Sequence, residues 1–341
     1  MSVVRERRGP GARALGWVGA ENLSLLIALA LLVALIAAQD GNFFSARNLF
    51  NIGQNMAVTG IVAVGMTLVI VSSGLDISVG AIAGCASVAC GLLVSGAGTI
   101  PGGVAGGVAV GAGLGLVNAL IINYLRVNPV VATLATLSAF RGVAFLIAPE
   151  GKPVGVLDPG FALLGSGRVL QVGGFPGVPV AFAILLAVAV AGHVVLSSTV
   201  FGRSVYSMGG NPAAARLAGI DLNRMRLAIY TVSGALAGLA GVVITARTSS
   251  GQPLSGTGLE LEAITAVFLG GALLAGGKGT VAGTMLAVLL LAVLSNGMNL
   301  LGIPTFYQLV AKGLLLVVAV GIGQFRAAAA ERRQSRQAAG G

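Results

Sequence analysis

The sequence predicts an all-α, polytopic membrane bundle of about ten transmembrane helices with both termini in the cytoplasm. Three observations predict it. Hydrophobic residues make up 56% of the 341 positions and charged residues 9%, at a mean hydropathy of +0.97, whereas a soluble domain carries roughly 25% charge. Apolar runs close to the ~20 residues that a helix needs to cross the hydrocarbon recur along the chain. The 20 Lys and Arg residues fall mostly between those runs, in a pattern that assigns one side to the cytoplasm. The 54 glycines agree with this class, because Gly is more frequent in membrane helices than in soluble ones.

In chain order, a basic segment at 1–21 carries Arg5, Arg7, Arg8 and Arg13 and leads into the first apolar run, 22–38. A cleaved leader would share these features, with Ala37-Ala38 near a cleavage position. A permanent first helix fits the topology as well or better. Further runs lie at 56–74, 80–97, 101–125, 130–148, 178–198, 227–246, 259–276, 280–298 and 305–324. A Gly/Pro turn near Pro101 divides the third from the fourth, and Gly276-Gly277-Lys278-Gly279 divides the eighth from the ninth. The membrane domain spans 22–325, and a second basic segment, 326–341, closes the chain.

The charge tally orients this array. With the N-terminus inside, Arg5, Arg7, Arg8, Arg13, Arg126, Arg203, Arg216, Arg224, Arg226, Lys278, Arg326, Arg332, Arg333 and Arg336 are cytoplasmic. Arg47, Lys152, Arg168 and Arg247 fall outside, so the bias is 14 to 4, and an even helix count follows. Two connections exceed turn length: an outside segment at 149–177 and an inside segment at 199–226. Connections longer than topology requires are places where partners can dock.

Several classes are disfavoured. The net charge of +10 is spread between apolar runs with no basic stripe among aromatics, so nucleic acid is not a partner. Cys85 and Cys90 share one apolar run and read as small fillers, with no metal or disulfide spacing. His193 is the only histidine, and no nucleophile–base pairing accompanies it. The stretch 271–280 fails as a phosphate-binding loop, since Gly279 follows Lys278 where Ser or Thr is needed. No cofactor is expected on this chain, and any ATP it depends on is hydrolysed elsewhere.

Four features remain. Gly103, Gly107, Gly111 and Gly115, with Gly234 and Gly238, repeat every fourth residue and let helix backbones approach closely, within the bundle or across a dimer. Arg141 and Lys312 are intramembrane charges that either face a polar interior, pair with Glu260 or Glu262, or reach to an interface. Gly74-Leu75-Asp76-Ile77-Ser78-Val79-Gly80 interrupts two apolar runs. It is either irregular backbone lining a cavity or a turn in which Asp76 caps the next helix. In the inside segment, Asn211 suits an N-cap, Pro212 the first helical position and Gly219 the terminating position. A short docking helix is expected there, with Asp221 capping the next long helix.

Taken together these stretches resemble the permease subunits of ABC-type sugar importers of the ribose/xylose/galactose class, over about residues 22–325. The most specific parts are Gly65-Met66-Thr67-Leu68-Val69-Ile70 leading into 74–80, then Ala132-Thr133-Leu134-Ala135-Thr136 with Arg141-Gly142. The third is Phe201-Gly202-Arg203 through Gly209-Gly210-Asn211-Pro212-Ala213-Ala214-Ala215-Arg216-Leu217-Ala218-Gly219-Ile220. Pro212 stands where family members often carry Glu, which keeps the helix start and removes a charged contact.

The resemblance implies an inner-membrane permease of a bacterium, homodimeric with a second permease copy or pseudo-dimeric. A separate cytoplasmic ABC ATPase subunit would hold ATP-Mg and grip Gly210, Asn211, Pro212, Ala213, Ala214, Ala215, Arg216, Leu217 and Gly219. A periplasmic sugar-binding protein would deliver solute to the outer face at 149–177. Asn55, Gly74, Asp76, Ser78, Asn128, Thr133 and Asn296 are candidates for the translocation path. Competing readings are an importer of the same build for a nucleoside, a furanone signal or an amino acid, and a secondary transporter or channel that needs no ATPase.

Overall fold

The computed structural model describes residues 20–96, 98–171 and 177–321. The basic ends expected at 1–21 and 326–341 lie outside the described residues, apart from the opening of the first helix. Every one of the ten apolar runs carries a helix. The first five are α1 (Ala20–Gln39), α2 (Ala46–Val71), α3 (Val79–Ser95), α4 (Ile100–Tyr124) and α5 (Pro129–Ile147). A short α6 (Pro159–Ser166) in the outside connection precedes the sixth, α7 (Val180–Ser198). Two more, α8 (Val200–Gly210) and α9 (Pro212–Leu217), fill the inside connection. The remaining runs carry α10 (Leu222–Thr248), α11 (Leu259–Leu269), α12 (Val281–Leu300) and α13 (Thr305–Gly321). Among the described residues, seven helices are long and apolar enough to span a membrane, and α3, α11 and α13 are shorter.

Local chemistry sets most boundaries. The side chains of Ser45, Thr99, Asn128, Asp221 and Thr280 each accept a hydrogen bond from a first-turn backbone N–H of α2, α4, α5, α10 and α12. Such caps satisfy donors that a helix leaves open. Capping by Ser45 starts α2 ten residues before the apolar run, because Arg47, Asn48, Asn51, Gln54 and Asn55 make its outer turns polar. At the other end Ser73 adopts φ 63° and stops it.

The eighth run departs most from expectation. A spanning helix over 259–276 is predicted, but α11 covers 11 residues and stops at Leu269. Gly256 and Gly258 hold φ of 75° and 83° before it, and Gly271, Gly276, Gly277 and Gly279 hold positive φ after it. Helical φ is negative, so these positions exclude helix on both sides. The outer half of the crossing is therefore non-helical chain, 249–258, a two-residue strand followed by turns, which packs against α3. A Cβ on Gly251 would lie 2.6 Å from the Ser87 carbonyl, and one on Gly256 would lie 2.7 Å from the Gly80 carbonyl.

Both long connections are ordered over their described residues. In 149–177 a single 3-10 turn, Pro149–Gly151, precedes β1 (Val154–Gly155) and then α6, which Asp158 caps. β1 pairs antiparallel with β4 (Ser250–Gly251), and β2 (Arg168–Val169) pairs antiparallel with β3 (Val178–Pro179). In 199–226 the sequence predicts α9 alone, since Gly202, Gly209 and Gly210 mask the helical signal of α8.

The core is built around α2, which is buried over most of its length among α7, α10, α11 and α12. The glycine repeats settle into one seam inside the chain. Gly107, Gly111 and Gly115 of α4 face Tyr230, Gly234, Gly238 and Val242 of α10, and a Cβ on Gly111 would lie 2.7 Å from the Cα of Gly238. Close backbone approach maximises dispersion contact where no hydrophobic force acts between helices. Residues of each predicted side also segregate. Arg226 Nη1 donates to Asn123 Oδ1 at one end (2.6 Å), and Arg247 Nη2 donates to Asn55 Oδ1 at the other (2.9 Å).

Gly111→Ala should lower the Tm of the detergent-solubilised protein, by the equivalent of about 1–3 kcal/mol for overpacking. Gly113→Ala, at a position with no neighbour within 4 Å, should leave it unchanged or raise it. Equal melting temperatures for the two variants would remove the seam from the account of stability.

Candidate functional site

At the end that the charge tally assigns to the cytoplasm, α9 forms as its sequence dictates. Asn211 Oδ1 accepts from Ala214 N at 3.0 Å, with Pro212 in the first helical position. Gly219, at φ 83°, lets its own N–H reach Arg216 O (3.1 Å) and the Ile220 N–H reach Ala215 O (3.0 Å), a Schellman closure. Of the residues expected to contact an ATPase, Gly210, Asn211, Pro212, Ala213, Ala214, Arg216, Leu217 and Gly219 are exposed. Leu217 is 91% exposed, while Ala215 is buried with Val205 and Leu222. Ala215 therefore anchors α9 and does not present it.

Behind α9, three segments lock together. Gly209 packs on the Val71 carbonyl, and the Gly277 N–H donates to the same carbonyl at 2.8 Å. Ser73 Oγ lies within hydrogen-bonding distance of the carbonyls of Gly209 (2.9 Å) and Ala275 (2.6 Å). Tyr206 OH donates to Gly279 O at 2.7 Å, and burial raises its pKa above the ordinary phenol value, so it stays a donor. The end of α8, the 72–78 segment and the 270–280 turn thus meet at one junction. A side chain at Gly209 would fill the space through which they touch.

The 72–78 segment leads inward from this junction. Asp76 is fully buried, and its Oδ1 accepts from Ser78 N (3.0 Å) and Ser78 Oγ (2.7 Å). Asn118 Nδ2 donates to Ser78 Oγ at 2.7 Å, and Thr136 Oγ1 donates to Asn118 Oδ1 at 2.7 Å. Thr133 and Tyr230 both reach the Leu75 carbonyl, at 3.3 and 3.1 Å. Gly74 leaves room for that Tyr230 hydroxyl. The segment is thus pinned to α4, α5 and α10 by hydrogen bonds. Asp76 closes a local turn at Ser78, the residue that precedes α3.

The other path candidates do not join this cluster. Asn55 is exposed at the outer end beside Arg247. Asn128 is exposed and caps α5 at the opposite end. Asn296 exchanges two hydrogen bonds with Asn48 (3.0 and 2.7 Å), joining α12 to α2. Asn48 is not singled out by the sequence, because it is one of several polar residues in the turns before the apolar run, and Thr136 enters only as part of the 132–136 stretch.

Both intramembrane charges have definite partners. Arg141 of α5 donates from Nη1 to the carbonyls of Pro253 and Ser255, at 2.6 and 2.9 Å. It supplies donors to the backbone that the broken eighth crossing leaves open. Lys312 of α13 pairs with Glu262 of α11 at 2.5 Å, and Thr59 Oγ1 of α2 donates to the other carboxylate oxygen at 2.9 Å. Cys85 and Cys90 are buried and free, and His193 is exposed on α7. No cluster of three potential metal ligands occurs among the described residues.

Comparison with known proteins is consistent with this architecture. A family profile described as the branched-chain amino acid transport system / permease component matches residues 48–320. The ribose import permease protein RbsC of Escherichia coli (strain K12) is 42% identical over 299 residues, covering 86% of this chain and 91% of the relative. The L-arabinose transport system permease protein AraH of the same organism is 34% identical, covering 90% and 92%. The xylose transport system permease protein XylH of Haemophilus influenzae is 31% identical, covering 87% and 94%. No solved structure matches the chain.

Replacing Arg141 with Met strands two carbonyls at membrane depth, each with a penalty of about 1–3 kcal/mol. Arg141→Met should lower the Tm markedly, and Arg141→Lys should recover part of the loss. A melting temperature unchanged in Arg141→Met would separate Arg141 from the stability of the broken crossing.

Proposed function

Because the chain belongs to the branched-chain amino acid transport system / permease component family, as a multi-pass permease of the inner membrane, we propose that it is the transmembrane subunit of a binding-protein-dependent, ATP-driven importer of a monosaccharide. The solute class rests on the relatives. Their names specify ribose, arabinose and xylose, all uncharged pentoses. A branched-chain amino acid is the second reading, supported by the family's description.

The observation that carries the coupling mechanism is the junction of α8, Ser73 and the 270–280 turn. An ATPase subunit bearing ATP-Mg docks on the exposed face of α9, whose rigid caps make it a lever and not a loop. Force on α9 passes through Gly209 and Tyr206 to two segments that interrupt membrane helices, 72–78 and 270–280. Broken helices can tilt about their interruption without unfolding a continuous hydrogen-bond ladder, which suits alternating access. The described part of the outer connection carries exposed Leu157, Leu163 and Leu170 and the Glu150–Lys152 pair. That surface fits a periplasmic binding protein that releases sugar onto it, and a second permease copy completes the pathway.

The deciding experiment is uptake of labelled ribose, arabinose, xylose and leucine by proteoliposomes containing this chain, with and without its ATPase and binding protein. Pentose uptake that requires all three components supports the reading. Uptake by the permease alone points to a secondary transporter, and uptake of leucine only transfers the chain to the amino-acid class.

The docking face gives a sharper expectation. Ala214→Glu and Leu217→Glu, both at exposed positions of α9, should abolish co-purification of the ATPase while the solubilised permease stays monodisperse. Ala215→Glu should instead destabilise the permease itself. Retained co-purification in both exposed variants would remove α9 as the docking element.

A further inference from the structure

The inside connection is one-sided in charge. Residues 199–226 hold Arg203, Arg216, Arg224 and Arg226 against one acid, Asp221, and that acid is occupied within the chain. Its Oδ1 accepts from Asn223 N and Arg224 N at the start of α10, and its Oδ2 pairs with the Arg224 side chain at 3.1 Å. Among the described residues, Arg203, Arg216 and Lys278 form no ion pair. Arg226 finds only the neutral Asn123, and the Arg216 charge lies close enough to act on it. The chain supplies no counter-charge here.

These cations border α9 on both sides. Arg203, Ser207 and Gly210 are exposed at i, i+4 and i+7, so they form one stripe of α8 that leads into α9. A Cβ on Gly277 would lie 2.7 Å from the Cα of Gly210, which sets exposed Lys278 beside the same stripe. At its other end α9 passes through Arg216 to the capped start of α10 and Arg224. Between these flanks Ala213 and Ala214 are exposed small residues, and Leu217 projects with 91% exposure.

The preference for cations on the inner side accounts for arginine near the ends of spans, but not for a leucine set among them. An apolar centre with a charged, solvent-accessible rim is the anatomy of a protein interface. A helix that seats in a bilayer surface needs a broad apolar face. The six residues of α9 offer one exposed leucine, and Ala215 is spent on the core.

We propose that the ATPase meets this surface with an apolar recess framed by carboxylates. The recess takes Leu217, and the acidic frame faces Arg203, Arg216 and Lys278. The proposal rests on α9 being the docking element and adds the chemistry of the partner. Opposite charges at a rim act chiefly on the rate of encounter, whereas a buried anchor acts on the rate of release.

The test follows association of the full permease, in nanodiscs of neutral phosphatidylcholine, with its ATPase at about 50 and about 500 mM salt. Wild-type association should be about ten-fold faster at low salt. Arg203→Glu combined with Arg216→Glu should slow low-salt association about ten-fold and remove most of the salt dependence, at an unchanged melting temperature. Leu217→Ala should speed dissociation and keep the salt dependence. Lys152→Glu, which changes net charge on the opposite face, should alter neither rate. Wild-type association that ignores salt overturns the acidic frame. So does a charge-reversed variant that associates normally while Leu217→Ala still dissociates faster, and in both cases α9 remains the docking element. Unchanged rates in the charge-reversed and Leu217→Ala variants alike overturn the docking reading as well. A salt dependence that emerges only when anionic phosphatidylglycerol replaces the neutral lipid assigns the cations to the membrane and overturns the frame.

Discussion

The structure depends on one constraint: backbone amides inside the hydrocarbon must find partners within the protein. Continuous helices meet it by themselves, whereas the non-helical stretches 72–78 and 249–258 do not. Each break is rescued by side chains from other helices. Asn118, Thr133, Thr136 and Tyr230 hold the first, and Arg141 with Ser87 holds the second, where Ser87 Oγ accepts from Gln252 N at 3.1 Å. Polar side chains of the neighbouring helices thus turn toward both breaks.

These breaks also join the two faces of the molecule. The first is tied at Ser73 to α8, and the turn that ends the second crossing is tied to the same place through Gly277 and Tyr206. Under the proposed function, a displacement of α9 would reach both interrupted segments through this junction, while the α4–α10 glycine seam holds those two helices close. Small residues serve both ends: they let backbones touch where rigidity is needed and supply positive φ where the chain must turn.

Much of this is legible in the residues alone. Asn211, Pro212 and Gly219 announce α9, since caps are local and need only their own sequence neighbours. The glycine repeats announce close packing, and the contact of Gly234 with Gly115 assigns them to an internal seam in place of a dimer seam. The eighth crossing reads as a full span and is not one, because an apolar run of helical length carries no sign that Gly271 and Gly276 within it adopt positive φ. Similarly, the glycines of α8 hide it, and Ala215 looks like its exposed neighbours although it packs inward.

By itself the sequence determined the membrane class, the ten apolar segments, the distribution of charge and the family, because hydropathy, cap chemistry and motif order are properties of short stretches. Only the tertiary structure decided what Arg141, Asp76, Glu262 and Lys312 do. A polar group in a low-dielectric interior is defined by its partners, and those partners stand from two to more than one hundred residues away.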